Sequence, residues 1–341
     1  MTERSIDVAV VGATGAVGEV MLEILAERDF TKGEVHALAS ERSVGKRVSY
    51  GDRTLKVADL ATFDFSKVSI ALFSAGGSVS QAYAPKAAAA GCVVIDNTSH
   101  FRQEDGIPLV VAEVNPQRIA DYKNHNIIAN PNCSTMQMLV ALKPIYDAAG
   151  ISRINVATYQ AVSGAGRATI EALAGQTARL LNGKPLDLEE GEPQFAFNAV
   201  PHIDVFQDNG YTREEMKILW ETRKILEDDT IMVNATAVRI PVFYGHSEAV
   251  NIEMRTPIKA EKVREILRSA PGVSVMDEPV SGGYPTPVTE AAGHDPVFIG
   301  RIRDDISHPQ AINLWIVADN IRKGAALNSV QIAEILAENH L

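Results

Sequence analysis

Short apolar runs, each closed by small or polar residues, recur through the first half of the chain. They occupy residues 6–11, 68–73, 92–96, 109–112 and 126–129. Runs of this length that alternate with helical patterns are typical of strands in a parallel sheet buried on both faces. After the first run, one helical stripe carries the apolar residues Val17, Val20, Met21, Ile24 and Leu25. The resulting strand, helix, strand order predicts a βαβ unit.

The pattern changes after residue 150, where the apolar runs become longer and richer in β-branched residues. These runs occupy residues 154–162, 231–242, 248–255 and 311–320. Their partial alternation predicts a mixed or antiparallel sheet with one face open to solvent. Helical runs at 167–181 and 212–226 interrupt them, and the second begins with Thr212 as N-cap and Glu215 as its capping-box partner. A helix of about 15 residues ends the chain. Its pattern alone does not decide whether it packs on the first half.

These patterns predict an α/β protein with a Rossmann-type parallel-sheet domain and an α+β domain with a mixed sheet, for which 341 residues suffice. A net charge of -11 argues against nucleic acid as a partner. Two cysteines give no disulfide framework, which fits a reducing compartment. Neither a secretory signal nor an apolar stretch of about 18 residues is present in the sequence. We therefore expect a cytoplasmic protein without a membrane partner.

A glycine-rich loop, G-A-T-G-A-V-G, occupies residues 12–18, between the first predicted strand and the first predicted helix. Its glycines permit a tight turn and a close approach of ligand, and the helix N-terminus offers N–H groups to a pyrophosphate. The alternative is a tight turn that binds nothing. The strand, loop, helix setting favours dinucleotide binding. The candidate cofactor contacts here, with a glycine after residues 68–73, are Gly12, Thr14, Gly15, Ala16, Val17 and Gly76.

The segment L-A-S-E-R-S-V-G-K follows the second predicted strand of the βαβ unit and bears on the choice of cofactor. An acidic residue there would accept a hydrogen bond from a ribose 2′-hydroxyl and repel a 2′-phosphate. Ser40, Arg42, Ser43 and Lys46 suit a 2′-phosphate, and Glu41 is a contrary sign. The segment predicts NADP rather than NAD, with a solvated basic turn as the alternative.

The segment N-P-N-C-S-T places Cys133 after a predicted strand and before a helical run that we expect to break or kink at Pro144. A helix N-terminus stabilises a thiolate, and its amides with the Asn132 side chain would hold an oxyanion. A core cysteine would sit inside an apolar run, as Cys92 does. This context favours a nucleophile over a buried structural thiol.

Among the eight histidines, His246 stands out because it follows R-I-P-V-F-Y-G, between two predicted strands. It is a candidate acid or base for the thiol, although a lone histidine in a turn is more often a surface residue. Arg239 in the same stretch suits bidentate capture of a carboxylate.

Four separated motifs occur in order: N-C-S-T, Y-Q-A-V-S-G-A-G-R, R-I-P-V-F-Y-G-H and A-D-N-I-R-K-G-A-A. With the glycine loop they make the whole chain resemble the aspartate-β-semialdehyde dehydrogenase family. The resemblance implies an NADP-binding domain at 1–131, completed by a terminal helix at 321–341, and a catalytic and dimerisation domain at 132–320. It also implies a homodimer or homotetramer, and no metal site is predicted.

The resemblance assigns roles residue by residue. Cys133 is the nucleophile, His246 the acid and base, and Gln160 orients the substrate. The residues expected to bind the α-carboxylate, the ammonium group and the phosphate are Arg239, Glu214, Arg102, Asn132 and Lys217. Further expected cofactor contacts are Ser163, Gly164, Ala165 and Asn320, the last near the nicotinamide.

The family chemistry implied is the reduction of β-aspartyl phosphate by NADPH through a thioester, with His246 moving the proton as aspartate semialdehyde forms. It would supply lysine, threonine and methionine synthesis. The nearest alternative is another acyl-phosphate reductase, such as N-acetyl-γ-glutamyl-phosphate reductase. A cysteine hydrolase would leave the glycine loop without a purpose, and in an NADP-binding sensor the thiol would be incidental.

Overall fold

A computed structural model describes residues 5–341. The strands are β1 (Val8–Val11), β2 (Val35–Ala39), β3 (Arg47–Tyr50), β4 (Arg53–Lys56), β5 (Ala58–Asp59), β6 (Ile70–Phe73), β7 (Val93–Asp96), β8 (Ile127–Ala129), β9 (Ile151–Gln160), β10 (Met232–Arg239), β11 (His246–Met254), β12 (Val273–Val275), β13 (Val297–Asp304) and β14 (Ala311–Ala318). The α-helices are α1 (Ala16–Glu27), α2 (Gly77–Ala89), α3 (Cys133–Ala149), α4 (Arg167–Leu181), α5 (Arg213–Leu226), α6 (Ala260–Arg268) and α7 (Asn328–Asn339). Among these described residues, no helix combines the length and apolar character needed to cross a membrane.

The chain divides into two compact units. The first contains the residues through Asn132 together with Gly324–Leu341, and the second contains Cys133–Lys323.

The first unit is built on a parallel sheet with the strand order β5-β2-β1-β6-β7-β8. Strands β1, β6 and β7 are buried along their whole length, as expected for a parallel sheet covered on both faces. The predicted stripe of the first helix is confirmed, because Met21, Ile24 and Leu25 are fully buried against this sheet. The Rossmann-type class predicted from the pattern is therefore confirmed.

The terminal helix α7 belongs to the same core. Val330, Ala333 and Leu336 are fully buried in one apolar cluster with the inward residues of β1 and α1. The first unit is thus completed by a segment that follows the second unit in sequence.

The strand predicted at residues 109–112 is wrong. Only one bridge forms, between Leu109 and Ala129. The side chain of Asn115 then accepts a hydrogen bond from the Val111 N–H at 2.9 Å and donates one to the Leu109 carbonyl at 2.9 Å. Because a side chain satisfies these buried main-chain groups, the apolar segment needs no strand partner.

The second unit is built on a mixed sheet with the order β10-β9-β11-β14-β13-β12. β9 runs parallel to β10 and antiparallel to β11, so the mixed sheet predicted from the pattern is confirmed. Helix α3 packs on one face, against β9, β11 and β14. The opposite face includes the partly exposed Tyr159 and Trp315, whose rings lie 5.6 Å apart.

Two helices of this unit have the predicted bounds, and a third differs. The capping box of α5 is present: Thr212 Oγ1 accepts from the Glu215 N–H at 3.3 Å, and Glu215 Oε2 accepts from the Thr212 N–H at 2.7 Å. The predicted break at Pro144 is wrong, because α3 continues through it to Ala149. The helix gives up one main-chain hydrogen bond there, and its buried residues hold it against the sheet.

Candidate active site

Cys133 is the first residue of α3, and its side chain is partly exposed. It therefore lies at the positive end of a helix that is buried along most of its length. Cys92 is fully buried, and burial raises the pKa of its thiol to about 12. The chain thus holds one accessible thiol and one that stays protonated at neutral pH.

The main chain of Ala161 bonds to both side chains that the sequence singled out together with the thiol. Its N–H donates to His246 Nδ1 at 3.1 Å, and its carbonyl accepts from Arg239 Nη1 at 2.7 Å. All three residues are buried. We call this arrangement the Ala161 clamp. It fixes the imidazole and the guanidinium relative to each other.

The clamp also decides the tautomer of His246. Because Nδ1 accepts a hydrogen bond, a neutral imidazole must carry its proton on Nε2. Burial, followed by the charge of Arg239, lowers the pKa of His246 well below its usual value. At neutral pH the ring is therefore neutral, with an Nε2–H that donates to no described residue.

Arg239 lies close enough to Glu214 and Cys133 for both groups to affect its pKa. Burial lowers its pKa, while Glu214 and Cys133 act in the opposite direction. A guanidinium stays protonated under such conditions, so Arg239 is a cation beside the thiol.

Gln160 links the start of α3 to α5. Its Nε2 lies 2.9 Å from Ser134 Oγ and 3.2 Å from Glu214 Oε1, with Thr158 Oγ1 at 3.3 Å. Ser134 directly follows Cys133 and is fully buried. The amide therefore holds the residue next to Cys133 and the carboxylate of Glu214 in one network.

Lys217 is held between two carboxylates. Its Nζ donates to Asp204 Oδ2 at 2.7 Å and to Glu214 Oε2 at 3.1 Å. Burial lowers the pKa of Lys217, but these two carboxylates outweigh burial and raise it. Asp204 was missed in the sequence because it lies in a loop without a motif. Its φ of 69° is a backbone conformation that non-glycine residues seldom adopt.

Gly164 borders the space between the two clamped side chains. A Cβ added there would lie 3.2 Å from Arg239 Nη1 and 3.2 Å from His246 Nε2. Any side chain at this position would crowd both groups.

Asn320 and Ser163, both predicted as cofactor contacts, bond to each other. Asn320 Nδ2 donates to Ser163 Oγ at 3.0 Å, and its Oδ1 accepts from the Gly245 N–H at 2.9 Å. Gly245 precedes His246, so Asn320 fixes the turn that leads into the histidine.

In the first unit, the glycine loop has the geometry of a phosphate-binding turn. Gly12 has φ of 89°, and a Cβ at Gly18 would lie 2.2 Å from the Gly12 carbonyl oxygen. Gly15 brings no side chain to cap α1, so the first-turn N–H groups point toward the loop without an intrahelical acceptor. The loop fits the pyrophosphate of a dinucleotide, with Thr14, Ala16 and Val17 around it.

The remaining predicted residues of the first unit lie at the carboxyl ends of its strands or in the loops beyond. Ser40 and Arg42 follow β2 and are exposed, as are Lys46 and Glu41, whereas Ser43 is partly buried. Gly76, with φ of 96°, precedes α2 and borders open space. Arg102 is buried and donates to the Asn97 carbonyl at 2.9 Å, and Asn132 is also buried.

A parallel-sheet unit with a phosphate-binding loop, followed by a unit with an accessible thiol at a helix N-terminus and a clamped histidine, is typical of the class of thiol-dependent, nucleotide-linked dehydrogenases. Comparison with known proteins agrees. The family model described as semialdehyde dehydrogenase, NAD binding domain, matches residues 7–122, and the one described as semialdehyde dehydrogenase, dimerisation domain, matches residues 142–323.

Relatives match along nearly the whole chain. An aspartate-semialdehyde dehydrogenase of Legionella pneumophila is 63% identical, covering 99% of this chain and 97% of its own. Aspartate-semialdehyde dehydrogenase 2 of Vibrio cholerae is 59% identical, covering 99% of each. The crystal structure of aspartate semialdehyde dehydrogenase II from Vibrio cholerae, complexed with ASA, has a TM-score of 0.96 and 59% identity over 99% of this chain and 100% of that one. The chain belongs to the aspartate-semialdehyde dehydrogenase family and is an enzyme.

Proposed function

We propose that the chain catalyses the NADPH-dependent reductive dephosphorylation of L-4-aspartyl phosphate to L-aspartate 4-semialdehyde, through a thioester on Cys133. The observation that carries this proposal is the Ala161 clamp, which presents one cation and one neutral proton donor in the unit that holds the thiol. Relatives at 63% and 59% identity bear the same activity in their names. This reaction supplies lysine, threonine and methionine synthesis.

The substrate's charges match the charged groups of the site. Arg239 receives the α-carboxylate in a bidentate pair through guanidinium N–H groups other than the one that donates to Ala161. Glu214 accepts the ammonium group. The phosphate binds Lys217, whose ammonium group is already oriented by two carboxylates.

The covalent steps use Cys133 twice. Its thiolate attacks the acyl carbon, and the carbon–oxygen bond to phosphate breaks, so phosphate leaves with the electron pair and takes up one proton. NADPH, when bound, supplies the hydride that reduces the acyl group. The carbon–sulfur bond then breaks, which releases the aldehyde and restores the thiolate.

His246 acts on the substrate oxygen in both halves. Each half passes through a tetrahedral oxyanion, and a preformed N–H donor stabilises such a charge. The Nε2–H fixed by the clamp is that donor. Burial, followed by the charge of Arg239, keeps the imidazole neutral, so the donor is present throughout neutral pH.

The glycine loop and the first turn of α1 would hold the pyrophosphate of the cofactor. Ser40, Arg42 and Ser43 would bind a 2′-phosphate, which favours NADP over NAD. Ser163, Gly164 and Asn320 are the proposed contacts in the second unit.

The enzyme takes small-molecule substrates and forms an oligomer, as the match to a dimerisation domain shows. The finer assignment, a homodimer or homotetramer built on the second unit, is supported by the partly exposed aromatic residues Tyr159 and Trp315 on its open sheet face. Sedimentation equilibrium would give the number of chains.

A direct assay tests the reaction in reverse. Aspartate semialdehyde, phosphate and NADP should give reduced nicotinamide, and no reduction should occur without phosphate. Cys133→Ser should abolish turnover, whereas Cys92→Ser serves as the matched control and should keep it. Reduction that does not depend on phosphate, or full turnover in Cys133→Ser, would contradict the proposal.

A further inference from the structure

Two polar side chains lie at core positions directly behind the catalytic pair. Strand β11 alternates along its length, so His246, Glu248, Val250 and Ile252 point to the same inward face. All of them are at most 2% exposed. Glu248 therefore occupies a position that its neighbours on the strand fill with aliphatic side chains.

Gln137 occupies the corresponding position on α3. It follows Cys133 by one helical turn, so the two residues share a face of the helix, and its side chain is fully buried. Helix α3 packs on β11. The core thus contains a carboxamide one helical turn after Cys133 and a carboxyl group two strand residues after His246.

These two groups have no other polar anchor in the described residues. Neither the carboxamide of Gln137 nor the carboxyl of Glu248 makes a hydrogen bond of ordinary length and angle. Burial raises the pKa of Glu248 well above its usual value, and the nearby Gln137 carboxamide acts in the opposite direction. Beside Glu248 in the sheet lie Thr158 and Ile316, neither of them charged. Glu248 consequently keeps its proton to a higher pH than an ordinary glutamate, and it faces a carboxamide.

We propose that Glu248 and Gln137 are positioning residues that hold the helix carrying Cys133 in a fixed register on the strand carrying His246. The inference deepens the proposed function, on which it rests. Neither residue touches the substrate. Their pairing sets where the thiol lies relative to the Nε2–H donor.

The chemistry of the pair supports this role. Aliphatic side chains at both positions would fill the core and avoid the cost of burying polar groups. A carboxyl–carboxamide pair, by contrast, is favourable only when its groups face each other, so it selects one alignment of helix and strand. A Glu248 that keeps its proton adds no negative charge behind the site, which agrees with the lowered pKa of His246.

The experiment compares variants of the full-length enzyme. Glu248→Leu and Gln137→Leu remove the pairing, and Glu248→Gln keeps a neutral hydrogen-bonding group of the same shape. Val250→Ala is the matched control, because it disturbs the next inward position of the same strand without touching a polar group. Each variant is measured for kcat, KM, urea midpoint and the rate of Cys133 alkylation by iodoacetamide against pH.

We expect both leucine variants to lose about tenfold or more in kcat with KM changed less than about twofold, and to shift the pH profile of alkylation. A variant that carries both Glu248→Leu and Gln137→Leu should have a kcat no lower than that of Glu248→Leu alone, because the two residues act as one unit. Glu248→Gln should keep kcat. Its urea midpoint should exceed that of the wild type by a margin that grows as pH rises above about 4.3, where the unfolded glutamate ionises.

Wild-type kcat and alkylation in the leucine variants would overturn the proposal, as would equal losses in Val250→Ala. A loss in Glu248→Gln as large as in Glu248→Leu would overturn it too, since the neutral pair would then be insufficient. Alkylation and urea unfolding need no substrate. If the semialdehyde assay failed in the wild type, these two measurements would still test whether Glu248 and Gln137 position the helix on the strand.

Discussion

At the scale of single residues, the site depends heavily on positions that carry no reactive group. Ala161 acts through its main chain, and Gly164 through the absence of a side chain. Both sit in the loop after β9, between the strand and α4. Mutating only residues with reactive or charged side chains would not reveal these contributions.

Gly164→Ala should lower kcat by about tenfold or more, because the added methyl would crowd both clamped side chains. Neither neighbour can move away easily, since each is bonded to Ala161. Steady-state kinetics measure the loss. The control is Gly175→Ala in α4, where a Cβ meets open space and turnover should be unchanged. Equal effects of the two substitutions would contradict this account.

The pKa of His246 predicts a dependence of stability on acid. Its pKa in the folded chain lies well below 6.5, so the unfolded chain binds the extra proton first. Stability should therefore fall as pH drops below about 6.5, by up to about 1.4 kcal/mol per pH unit. Urea unfolding from about pH 7 to about pH 5 measures this slope. His246→Gln should show a smaller slope, and an unchanged slope would refute the assignment.

At the scale of elements, hydrophobic periodicity was sufficient to place a helix or strand where the segment itself carries a clear pattern or a capping motif. Helices α4 and α5 and the strands around Gln160 and His246 could be placed from local pattern and capping alone. Residues 109–112 could not, because the side chain of Asn115 replaces a strand partner there. The contacts of Ala161 and Asp204 were also out of reach, since they join His246 and Lys217 across long separations that no local pattern encodes.

Thr212→Ala should destabilise the protein by about 1 kcal/mol, because it removes the side-chain half of the α5 capping box. The helix carries Glu214 and Lys217 near this end, so KM should rise more than kcat falls. Urea unfolding and steady-state kinetics measure the two effects. Thr256→Ala, an exposed threonine outside any helix, is the control. An unchanged KM would show that the cap does not support the substrate site.

At the scale of the whole molecule, the nucleotide-binding unit is assembled from both ends of the chain. Helix α7 supplies fully buried residues to the core that contains β1 and α1. The pattern of the terminal helix was visible in the sequence. Its packing partner was not, because an apolar stripe shows that a helix face is buried but does not identify the surface against which it packs.

Leu336→Ala should cost about 2 to 5 kcal/mol, since the side chain is fully buried in that core. Dinucleotide affinity should weaken along with stability. Urea unfolding and a fluorescence titration with NADPH measure the two effects. Leu341→Ala, five positions further on and 46% exposed, should leave both unchanged. Loss of stability without loss of affinity would show that α7 does not support the nucleotide site.

The Ala161 clamp makes two main-chain groups part of the site, and nearly all substitutions at residue 161 would leave both groups in place. The N–H of residue 161 donates to the imidazole, and its carbonyl, which belongs to the next peptide bond, accepts from the guanidinium. Only proline lacks the N–H. Replacing the amide between Gln160 and residue 161 by an ester would separate the two functions without introducing the proline ring, because it deletes the donor and leaves the Ala161 carbonyl in place. In such a semisynthetic enzyme His246 would lose its fixed tautomer while Arg239 stayed anchored.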